Sequence, residues 1–427
     1  MSTPSEHARR RITAVHAAIA GPSTLLRERR ALYQLAAELL QAGCSQELGL
    51  DVIDSPVTRN QIGDALAGRR NLTCLTFVSI SAITDPTYSQ DLPVVSCPDA
   101  NTLLARALDP VRTELNRQQV TFGSLRLLTE VDGERFISAL AVLSDGVALA
   151  RSVNAELVDD LLPHIALIGV VDSRGAGRLA SASPRIFPGL ILLKSPQSSI
   201  EVAEALVHEG AHQKLFDLAV TRDLLNADSD RCPPFHPPWA PKERLWPLEQ
   251  TLAACHAYVC LAQFAHDAGI RTGSHVVGPD SLLPVASMRY EIIGQWLLEQ
   301  GDYLGIDAHT LVKGLIGQRP RTSPTTEIQS TPVAANYIID PRLRFRRCDF
   351  TERVLVGRLS HPPQFYWVSD DAATALDLLA QKSLDEVIRK FAERWGLDSS
   401  DTSRRLTELL SDLYVAGLVE LGATECN

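Results

Sequence analysis

Residues 200 to 220 read Ile200-Glu-Val-Ala-Glu-Ala-Leu-Val-His-Glu-Gly-Ala-His-Gln-Lys-Leu-Phe-Asp-Leu-Ala-Val220, and this stretch decides the fold around the most informative motif of the chain. It contains no proline, and its apolar residues recur at the three- and four-residue spacing of a helix. The motif His-Glu-Gly-Ala-His occupies positions 208–212. Because residues four apart lie on the same face of a helix, His208 and His212 are predicted to face one place.

Two histidines one helical turn apart, with a glutamate after the first, form the H-E-x-x-H pattern of many metalloenzymes. We therefore predict His208 and His212 as metal ligands and Glu209 as a catalytic residue. Both histidines lie on the apolar stripe that we expect the helix to bury, where an unpaired imidazole is costly and a metal ion is a suitable partner. The alternative is a pair of hydrogen-bonded core histidines.

A third protein ligand is predicted in the next helix, over Pro247–Asp267. Glu249 and His256 are seven residues apart and therefore share a face of that helix. Glu249 would complete the two-histidine, one-carboxylate set of zinc peptidases or iron sites, and His256 would complete a set of three histidines. Cys260 lies on the same face as His256 and is a less favoured candidate, since its thiolate is a soft ligand. His236 is interpreted as a loop residue rather than a ligand.

Composition narrows the class of protein. A chain of 427 residues suggests two or three domains with a substantial core. With 45% hydrophobic and 22% charged residues it is typical of a soluble globular protein. The net charge of −10 disfavours binding to nucleic acids or anionic membranes. Its 8 cysteines form no C-x-x-C pair, so reduced thiols in a cytoplasmic protein are predicted.

The predicted fold class is α+β, with a mainly helical metal-site domain and a strand packed near the H-E-x-x-H helix. An apolar run within 185–194 predicts that strand, and a turn-forming Ser195–Ser199 segment separates it from the helix. Further predicted elements are strands at Leu75–Ile80, Phe136–Val142 and His164–Val171, and helices at Asn101–Arg117 and Pro284–Gln300.

The polar stretch 318–335 is rich in Pro, Ser and Thr and predicts a linker. It would separate a catalytic domain at 1–317 from a small domain at 336–427. The small domain is predicted to be winged-helix-like, the alternative being a helical cap on the catalytic domain. Its predicted elements are a hairpin of Arg353–Gly357 and Gln364–Val368, helices at Asp370–Leu379, Ser383–Trp395 and Thr402–Ala416, and a closing strand at Leu418–Leu421.

Targeting and membrane segments are not predicted. Arg9, Arg10 and Arg11 precede a short apolar run, which resembles a signal peptide, but His16 interrupts the run. We find no run of about 18 apolar residues, so no membrane span is expected.

The carboxy-terminal part of the chain resembles a PqqD-type peptide-recognition module over roughly residues 340–423. The matching residues are Phe365-Tyr-Trp-Val-Ser-Asp-Asp371, Ser383-Leu-Asp-Glu-Val-Ile-Arg389 and Leu409-Leu-Ser-Asp-Leu-Tyr-Val-Ala-Gly-Leu-Val-Glu-Leu421. The resemblance implies that the module binds the leader of a ribosomally made precursor peptide, which adds to its sheet as a further strand.

The larger part is similar to the HExxH-motif peptide-modification proteins, which are 2-oxoglutarate-dependent peptide β-hydroxylases. The matching residues are Phe187-Pro-Gly-Leu-Ile-Leu192, Glu204–Leu218, His236-Pro-Pro-Trp239 and Trp246-Pro-Leu-Glu-Gln-Thr-Leu-Ala-Ala-Cys-His-Ala-Tyr258. In this helix Tyr-Ala-His can replace His-Ala-Tyr among members, and His256 is given the histidine role here. Trp246 stands where many members have arginine, which removes one cation from the co-substrate pocket.

The resemblance implies Fe(II) as the metal, with 2-oxoglutarate and O₂ as co-substrates and a precursor peptide as the hydroxylated substrate. The distal carboxylate of 2-oxoglutarate requires a cation. We predict Arg289 or Lys214 for this role, with Lys242 and Arg244 as alternatives. Glu209 would then not bind the metal itself but would position water or orient one of the metal ligands.

Two other functions are compatible with the sequence. In a zinc peptidase, Glu209 would be the general base and Glu249 the third ligand. In a non-catalytic precursor-binding protein, the metal site would be structural or vestigial.

Overall fold

The computed structural model describes residues 21–40, 48–69, 77–88, 92–109, 111–113, 125–172, 180–270, 280–317, 337–340, 343–347, 353–358, 364–415 and 418–421. These residues mix helices and sheets, in agreement with the predicted α+β class. They divide into two compact units. The first contains the described residues of Met1–Arg30, Glu47–Asp64 and Thr73–Pro320, and the second those of Ala31–Gln46, Ala65–Leu72 and Arg321–Asn427.

The division between the units differs in one respect from the predicted domains. The boundary after Pro320 lies inside the predicted linker 318–335, which itself falls outside the described residues. The second unit also takes two amino-terminal segments, 31–46 and 65–72, that the sequence had assigned to the catalytic domain. The order of elements along the chain does not predict that amino-terminal segments belong to the same unit as the carboxy-terminal residues.

Nine α-helices whose bounds lie within the described residues begin in the first unit. The first and the third of them end in residues that belong to the second unit. They are α1 (Pro22–Leu40), α2 (Leu50–Ile53), α3 (Pro56–Leu66), α4 (Ala100–Leu103), α5 (Glu134–Leu161), α6 (Ser199–Thr221), α7 (Leu248–Asp267), α8 (Ala286–Glu299) and α9 (Ile306–Ile316). The predicted helices at 200–220, 247–267 and 284–300 are confirmed as α6, α7 and α8.

A three-stranded sheet precedes α6 in the chain. Its strands are β1 (Leu167–Val171), β2 (Ser181–Ala182) and β3 (Leu190–Lys194), in the order β1-β3-β2. Strand β3 pairs in parallel with β1 and antiparallel with β2. All five residues of β1 and the first four of β3 are buried, as expected for strands covered on both faces. The strand predicted upstream of the H-E-x-x-H helix is therefore confirmed as β3.

Two of the other predicted elements differ from the structure. Phe136–Val142 belongs to helix α5, not to a strand. Its buried residues and those that follow, Phe136, Ala139, Leu143 and Val147, are spaced three or four apart, so helical periodicity decides over a short apolar run. Asn101–Arg117 is helical in pieces: the short α4, a 3₁₀ turn at Ala105–Leu108 and helical residues at 109 and 111–113, while residues 110 and 114–117 lie outside the described part.

The strand prediction at His164–Val171 is confirmed for its second half, β1, while His164 ends a 3₁₀ turn. Residues 75 and 76 lie outside the described part, and residues 77–80 are not in a strand.

Helices α5, α6 and α7 pack together around the main core of the first unit. Two glycines permit this packing. A Cβ at Gly146 of α5 would lie 2.3 Å from Cβ of Val202 on α6, a distance that real side chains do not reach. A Cβ at Gly210, inside the H-E-x-x-H motif, would lie 3.1 Å from Cβ of Leu161 at the end of α5. Gly210 thus lets α6 approach the end of α5 closely.

Among the described helices, one satisfies the length and composition of a membrane span, although none was expected from the sequence. It covers Glu134–His164, which is α5 and the following 3₁₀ turn. The most apolar window of this helix is 33% buried, less than is usual for the core helix of a soluble protein, which can pass the same test; α5 nevertheless contributes residues to the core.

The second unit confirms the predicted order of strands and helices near the end of the chain. Strands β5 (Leu343–Arg347), β6 (Arg353–Arg358) and β7 (Gln364–Ser369) form an antiparallel sheet in that order. Helices α10 (Asp370–Leu379), α11 (Leu384–Trp395) and α12 (Ser399–Val415) follow. A short strand β4 (Tyr337–Ile339) pairs antiparallel with the closing strand β8 (Val419–Leu421).

The amino-terminal segment of this unit packs on its sheet. A Cβ at Gly357 of β6 would lie 2.7 Å from the side chain of Leu39 and 3.2 Å from that of Leu35, both on α1. Arg346 of β5 also donates to Glu38 of α1 at 2.7 Å. The close approach explains why residues 31–46 belong to this unit rather than to the one that follows them in the chain.

Candidate metal centre

A side chain next to the motif fixes α6 against the sheet. The amide of Gln213 spans two backbone groups at the start of β3: its Oε1 accepts from the N–H of Gly189 at 2.6 Å, and its Nε2 donates to the carbonyl of Leu190 at 2.8 Å. All three groups are buried. Because the neighbouring residue is His212, this clamp sets the position of the second histidine relative to the sheet.

The two histidines are arranged as a chelating pair. Their Nε2 atoms are 3.2 Å apart. Two nitrogen ligands at about 2.1 Å from one ion lie about 3.0 Å apart at a right angle and about 3.4 Å apart at the tetrahedral angle. The observed separation lies between these values. One ligand atom from each of His208, Glu209 and His212 also falls within 4.8 Å of the others, and this is the group of possible ligands found among the described His, Cys, Asp and Glu residues.

Both imidazoles are held in the neutral form that a metal ion requires. Burial lowers the pKa of His208 to about 4, assisted by the positive charge of Arg289. Burial also lowers the pKa of His212 to about 4, assisted by His208 and opposed by Glu209. At neutral pH neither ring must lose a proton before binding a cation, so the pair is ready to coordinate.

Glu209 lies beside the pair with one carboxylate oxygen engaged and one open. Ser181 of β2 donates to its Oε1 at 2.6 Å, and that oxygen is 4.0 Å from Nε2 of His208. The other oxygen, Oε2, is buried without a hydrogen-bond partner among the described residues, as is Nδ1 of His208. Unsatisfied buried acceptors are rare and mark places where an ion, water or ligand is expected.

The predicted third ligands on α7 are placed away from this group. His256 is fully buried, and its Nδ1 lies 3.0 Å from the carbonyl oxygen of Ala211. Glu249 lines the same cavity as the histidines, but Arg185 binds both of its oxygens, the second at 2.8 Å. Cys260 is fully buried, and burial raises the pKa of its thiol to about 12, which disfavours the thiolate needed for metal binding.

Tyr258 is the α7 side chain that meets the histidine pair. Its ring centroid is 6.3 Å from that of His208, in an edge-to-face arrangement. It lies two residues beyond His256 and therefore on a different face of α7, which lines the cavity. Tyr258 ends the His-Ala-Tyr segment of this helix, and the sequence alone predicts no role for it. The available signal was the His-Ala-Tyr segment, and the structure places both of its polar side chains against α6: His256 at the backbone of Ala211 and Tyr258 at the ring of His208.

Arg289, predicted to bind the distal carboxylate of 2-oxoglutarate, lies against Tyr258. Its Nη1 donates to the hydroxyl of Tyr258 at 2.7 Å. Its guanidinium carbon is 4.9 Å from the ring centroid of Trp239 and 5.3 Å from that of Tyr258. The Nε of Arg289 is buried without an acceptor among the described residues. Two aromatic rings thus hold a cation near His208 with one buried donor unpartnered, although Arg289 is not among the residues that line the cavities at the histidine pair.

The other predicted cations are placed differently. Lys214 is buried, and its Nζ is bound by both oxygens of Asp160 of α5 at 2.6 Å. This ion pair occupies Lys214 within the core rather than at the histidine pair. Arg244 lines the cavity of the histidines, whereas Lys242 and the loop residue His236 are exposed.

Two cavities meet at the histidine pair. One has a volume of about 910 Å³ and is lined by both histidines, residues of β2 and the cavity face of α7. The other, of about 450 Å³, lies along the first half of α6 toward residues 280–282. Both share the side chains of Ser181, His208, Glu209 and Leu282. The space on both sides of the candidate metal position is large enough for a small co-substrate and a segment of peptide.

A buried charge network supports the far end of α6. Asp217 accepts from Nη1 of Arg29 at 2.7 Å and lies 2.7 Å from Nδ1 of His164. Arg29 also binds Asp54, which is bound by Arg59 as well. Burial raises the pKa of Asp54, but the hydrogen bond from Arg30 and the charges of Arg29 and Arg59 lower it to about 2. The network ties α6 to α1 and α3 and lies outside the cavity linings described above.

Comparison with known proteins adds no identification. No protein-family model matches the chain, and a search of curated proteins finds no similar sequence.

Proposed function

We propose that this protein is an Fe(II)- and 2-oxoglutarate-dependent hydroxylase that acts on the β-carbon of a residue in a ribosomally made precursor peptide. The observation that carries the proposal is the position of Arg289. A cation held on Trp239 and Tyr258 beside His208, with its Nε unpartnered, suits the distal carboxylate of a dicarboxylic co-substrate.

The residues present fit the metal. His208 and His212 would hold it, since their Nε2 separation matches two ligands of one ion and both rings are neutral. When bound, iron supplies the activation of O₂ that couples decarboxylation of 2-oxoglutarate to the insertion of one oxygen atom into a C–H bond. The products balance as succinate, CO₂ and the hydroxylated peptide. Glu209 lies beside the metal position and is oriented by Ser181.

The protein side chains would perform the binding and the exclusion of water. Arg289 would fix the co-substrate by an ion pair whose strength rises in a partly buried site. The cavity of about 910 Å³ would take the peptide segment that carries the target residue. A histidine pair in the wall between two cavities would let co-substrate and peptide approach the metal from different sides.

The second unit would recognise the leader of the precursor as a winged-helix-like, PqqD-type module. Its antiparallel sheet β5-β6-β7 with three following helices is the arrangement that such modules need. Strand β5 forms one edge of this sheet and exposes Phe345, whose accessibility is 40%. An extended leader would add to an edge strand through backbone hydrogen bonds, with side chains such as Phe345 providing specificity.

Mass spectrometry of the precursor peptide tests the catalytic proposal. The full chain, loaded anaerobically with Fe(II), is incubated with a candidate ribosomal precursor peptide, 2-oxoglutarate and O₂. We expect the mass of one oxygen atom to be gained, with one succinate formed per hydroxylation. Arg289→Gln should raise the KM for 2-oxoglutarate by about 10- to 100-fold, because one charge-assisted ion pair is lost. Arg231→Gln, at an exposed arginine paired with Asp228, is the control.

A zinc peptidase is the second candidate, favoured by the open carboxylate oxygen Oε2 of Glu209 beside the histidine pair. A general base in such enzymes needs a free oxygen facing the metal-bound water. Cleavage of the precursor with Zn(II) alone, abolished in Glu209→Gln, would establish the peptidase and overturn the hydroxylase. Tight binding of the precursor without either reaction would support a non-catalytic partner.

Leader binding is tested separately with a fluorescent leader peptide and the full chain. Phe345→Asp should weaken binding at least several-fold, whereas Tyr414→Asp, at a comparably exposed aromatic residue of α12, should not. Equal affinities for both variants would contradict the assignment of the leader to the edge of β5.

A further inference from the structure

We infer that Tyr258 supplies the third protein ligand, an oxygen donor, to the metal held by His208 and His212. This inference rests on the proposed metal function of the histidine pair and extends it to a residue with no assigned role. Its basis is the packing of α7 against α6, which brings Tyr258 to the histidine pair, sets His256 against the backbone of α6 and leaves Glu249 paired with Arg185.

The register between the two helices is fixed by His256. Its Nδ1 lies 3.0 Å from the carbonyl oxygen of Ala211, so the face of α7 that carries residue 256 is directed at the backbone of α6. Two residues later, Tyr258 comes next to the side chain of His208, at 6.3 Å between ring centroids. Tyr258 and both histidines line one cavity, and no cavity lining described above includes His256.

The acidic candidate is held in an exposed ion pair. Glu249 lies in the first turn of α7, more than two turns before Tyr258, and Arg185 engages both of its oxygens. It does not belong to the group of ligand atoms that lie within 4.8 Å of one another around His208 and His212. Among the polar side chains that the described part of α7 presents to the cavity, Tyr258 is the one in contact with a histidine of the pair.

The surroundings of Tyr258 hold its oxygen in one place. Arg289 donates to its hydroxyl oxygen at 2.7 Å, which is a charge-assisted hydrogen bond. The same guanidinium packs over the Tyr258 ring, which restricts the ring to one orientation. With two neutral imidazoles and one phenolate as ligands, the metal and its protein ligands together would carry one positive charge less than the free ion. Three protein ligands would leave coordination positions open for a co-substrate.

The test is spectroscopic and requires neither 2-oxoglutarate nor peptide. The full chain is loaded with Fe(II), its iron content measured, and the iron oxidised to Fe(III). A phenolate bound to Fe(III) produces an intense charge-transfer absorption in the visible range and enhanced ring modes in resonance Raman spectra. We expect the wild-type protein and Tyr88→Phe, a tyrosine packed on Phe136, to show both. Tyr258→Phe should bind iron but lose both signals.

Each other result counts against the inference. Wild-type protein with bound iron but no charge-transfer band overturns it, as does a band that survives in Tyr258→Phe. If Tyr258→Phe does not fold, incorporation of 3-fluorotyrosine at position 258 preserves the shape of the site, and an unshifted band then overturns the inference. Failure to bind iron removes both this inference and the proposed function. Hydroxylation without a band contradicts only the ligand, and a band without hydroxylation contradicts only the reaction.

Discussion

Acidification of the metal-free protein probes the burial of the histidine pair directly. The pKa values of His208 and His212 are about 4 in the folded protein, whereas a histidine of an unfolded chain has a pKa of about 6.5. Between these values the unfolded chain binds protons that the folded protein does not. The free energy of unfolding therefore rises with pH in this window, and it falls as the pH is lowered from about 6.5 to about 4.

The magnitude follows from the size of the two shifts. At about pH 5, each histidine costs roughly 2 kcal/mol, since one pKa unit corresponds to about 1.4 kcal/mol. The two together should lower the free energy of unfolding by up to about 4 kcal/mol relative to pH 7.5. The loss should stop growing below about pH 4, where both folded imidazoles are protonated. This is a large fraction of the stability of an ordinary domain.

Urea denaturation of the chelator-treated protein, followed by fluorescence between about pH 5 and about pH 7.5, measures this dependence. The double variant His208→Gln, His212→Gln should lose about 4 kcal/mol less over the window than the wild-type protein does. Other titrating groups are common to both proteins and cancel in the comparison. His236→Gln, at an exposed loop histidine, should keep the full dependence. Identical pH profiles for the wild-type protein and the double variant would refute burial as the cause.

Three substitutions test the supports of α6 by urea or thermal denaturation. Gly146→Ala should destabilise the protein by roughly 1–3 kcal/mol, because the new Cβ would lie 2.3 Å from Cβ of Val202. Gln213→Leu should cost roughly 2–4 kcal/mol and weaken Zn(II) binding in a chelator competition, because it leaves two buried backbone groups unpaired. Arg29→Met should cost roughly 3–5 kcal/mol, because Asp217 stays charged in the core without this counterion.

Matched variants separate these effects from general intolerance. Gly63 lies in helix α3 with open space where a Cβ would point, so Gly63→Ala should be neutral or stabilise by up to about 1 kcal/mol. Gln295→Leu removes an exposed glutamine of α8 and should change stability by less than about 0.5 kcal/mol. A Gly146→Ala protein as stable as Gly63→Ala would contradict the close packing of α5 on α6.

The sequence alone determined the features that depend on local spacing. His208 and His212 converge because the pitch of a helix brings residues four apart onto one face, and no distant residue is needed for this. The strand β3, the helices α6 and α7, and the strands and helices of the second unit follow in the same way from periodicity and turn residues. Where two local patterns competed, as in Phe136–Val142, the longer helical period prevailed.

Tertiary structure alone decided which distant residues complete the site. Spacing along α7 allowed both His256 and Glu249 as ligands. Which side chains of α7 meet α6 depends on how the two helices pack, and in the structure His256 meets the backbone of Ala211 while Tyr258 meets the ring of His208. The sequence does not distinguish Lys214 from Arg289 as the cation that would bind the co-substrate carboxylate. Asp160, 54 residues before Lys214, binds that lysine in the core, whereas two aromatic rings hold Arg289 beside His208. Such pairings form between segments far apart in the chain, and their geometry is set by side-chain packing, which no local pattern encodes.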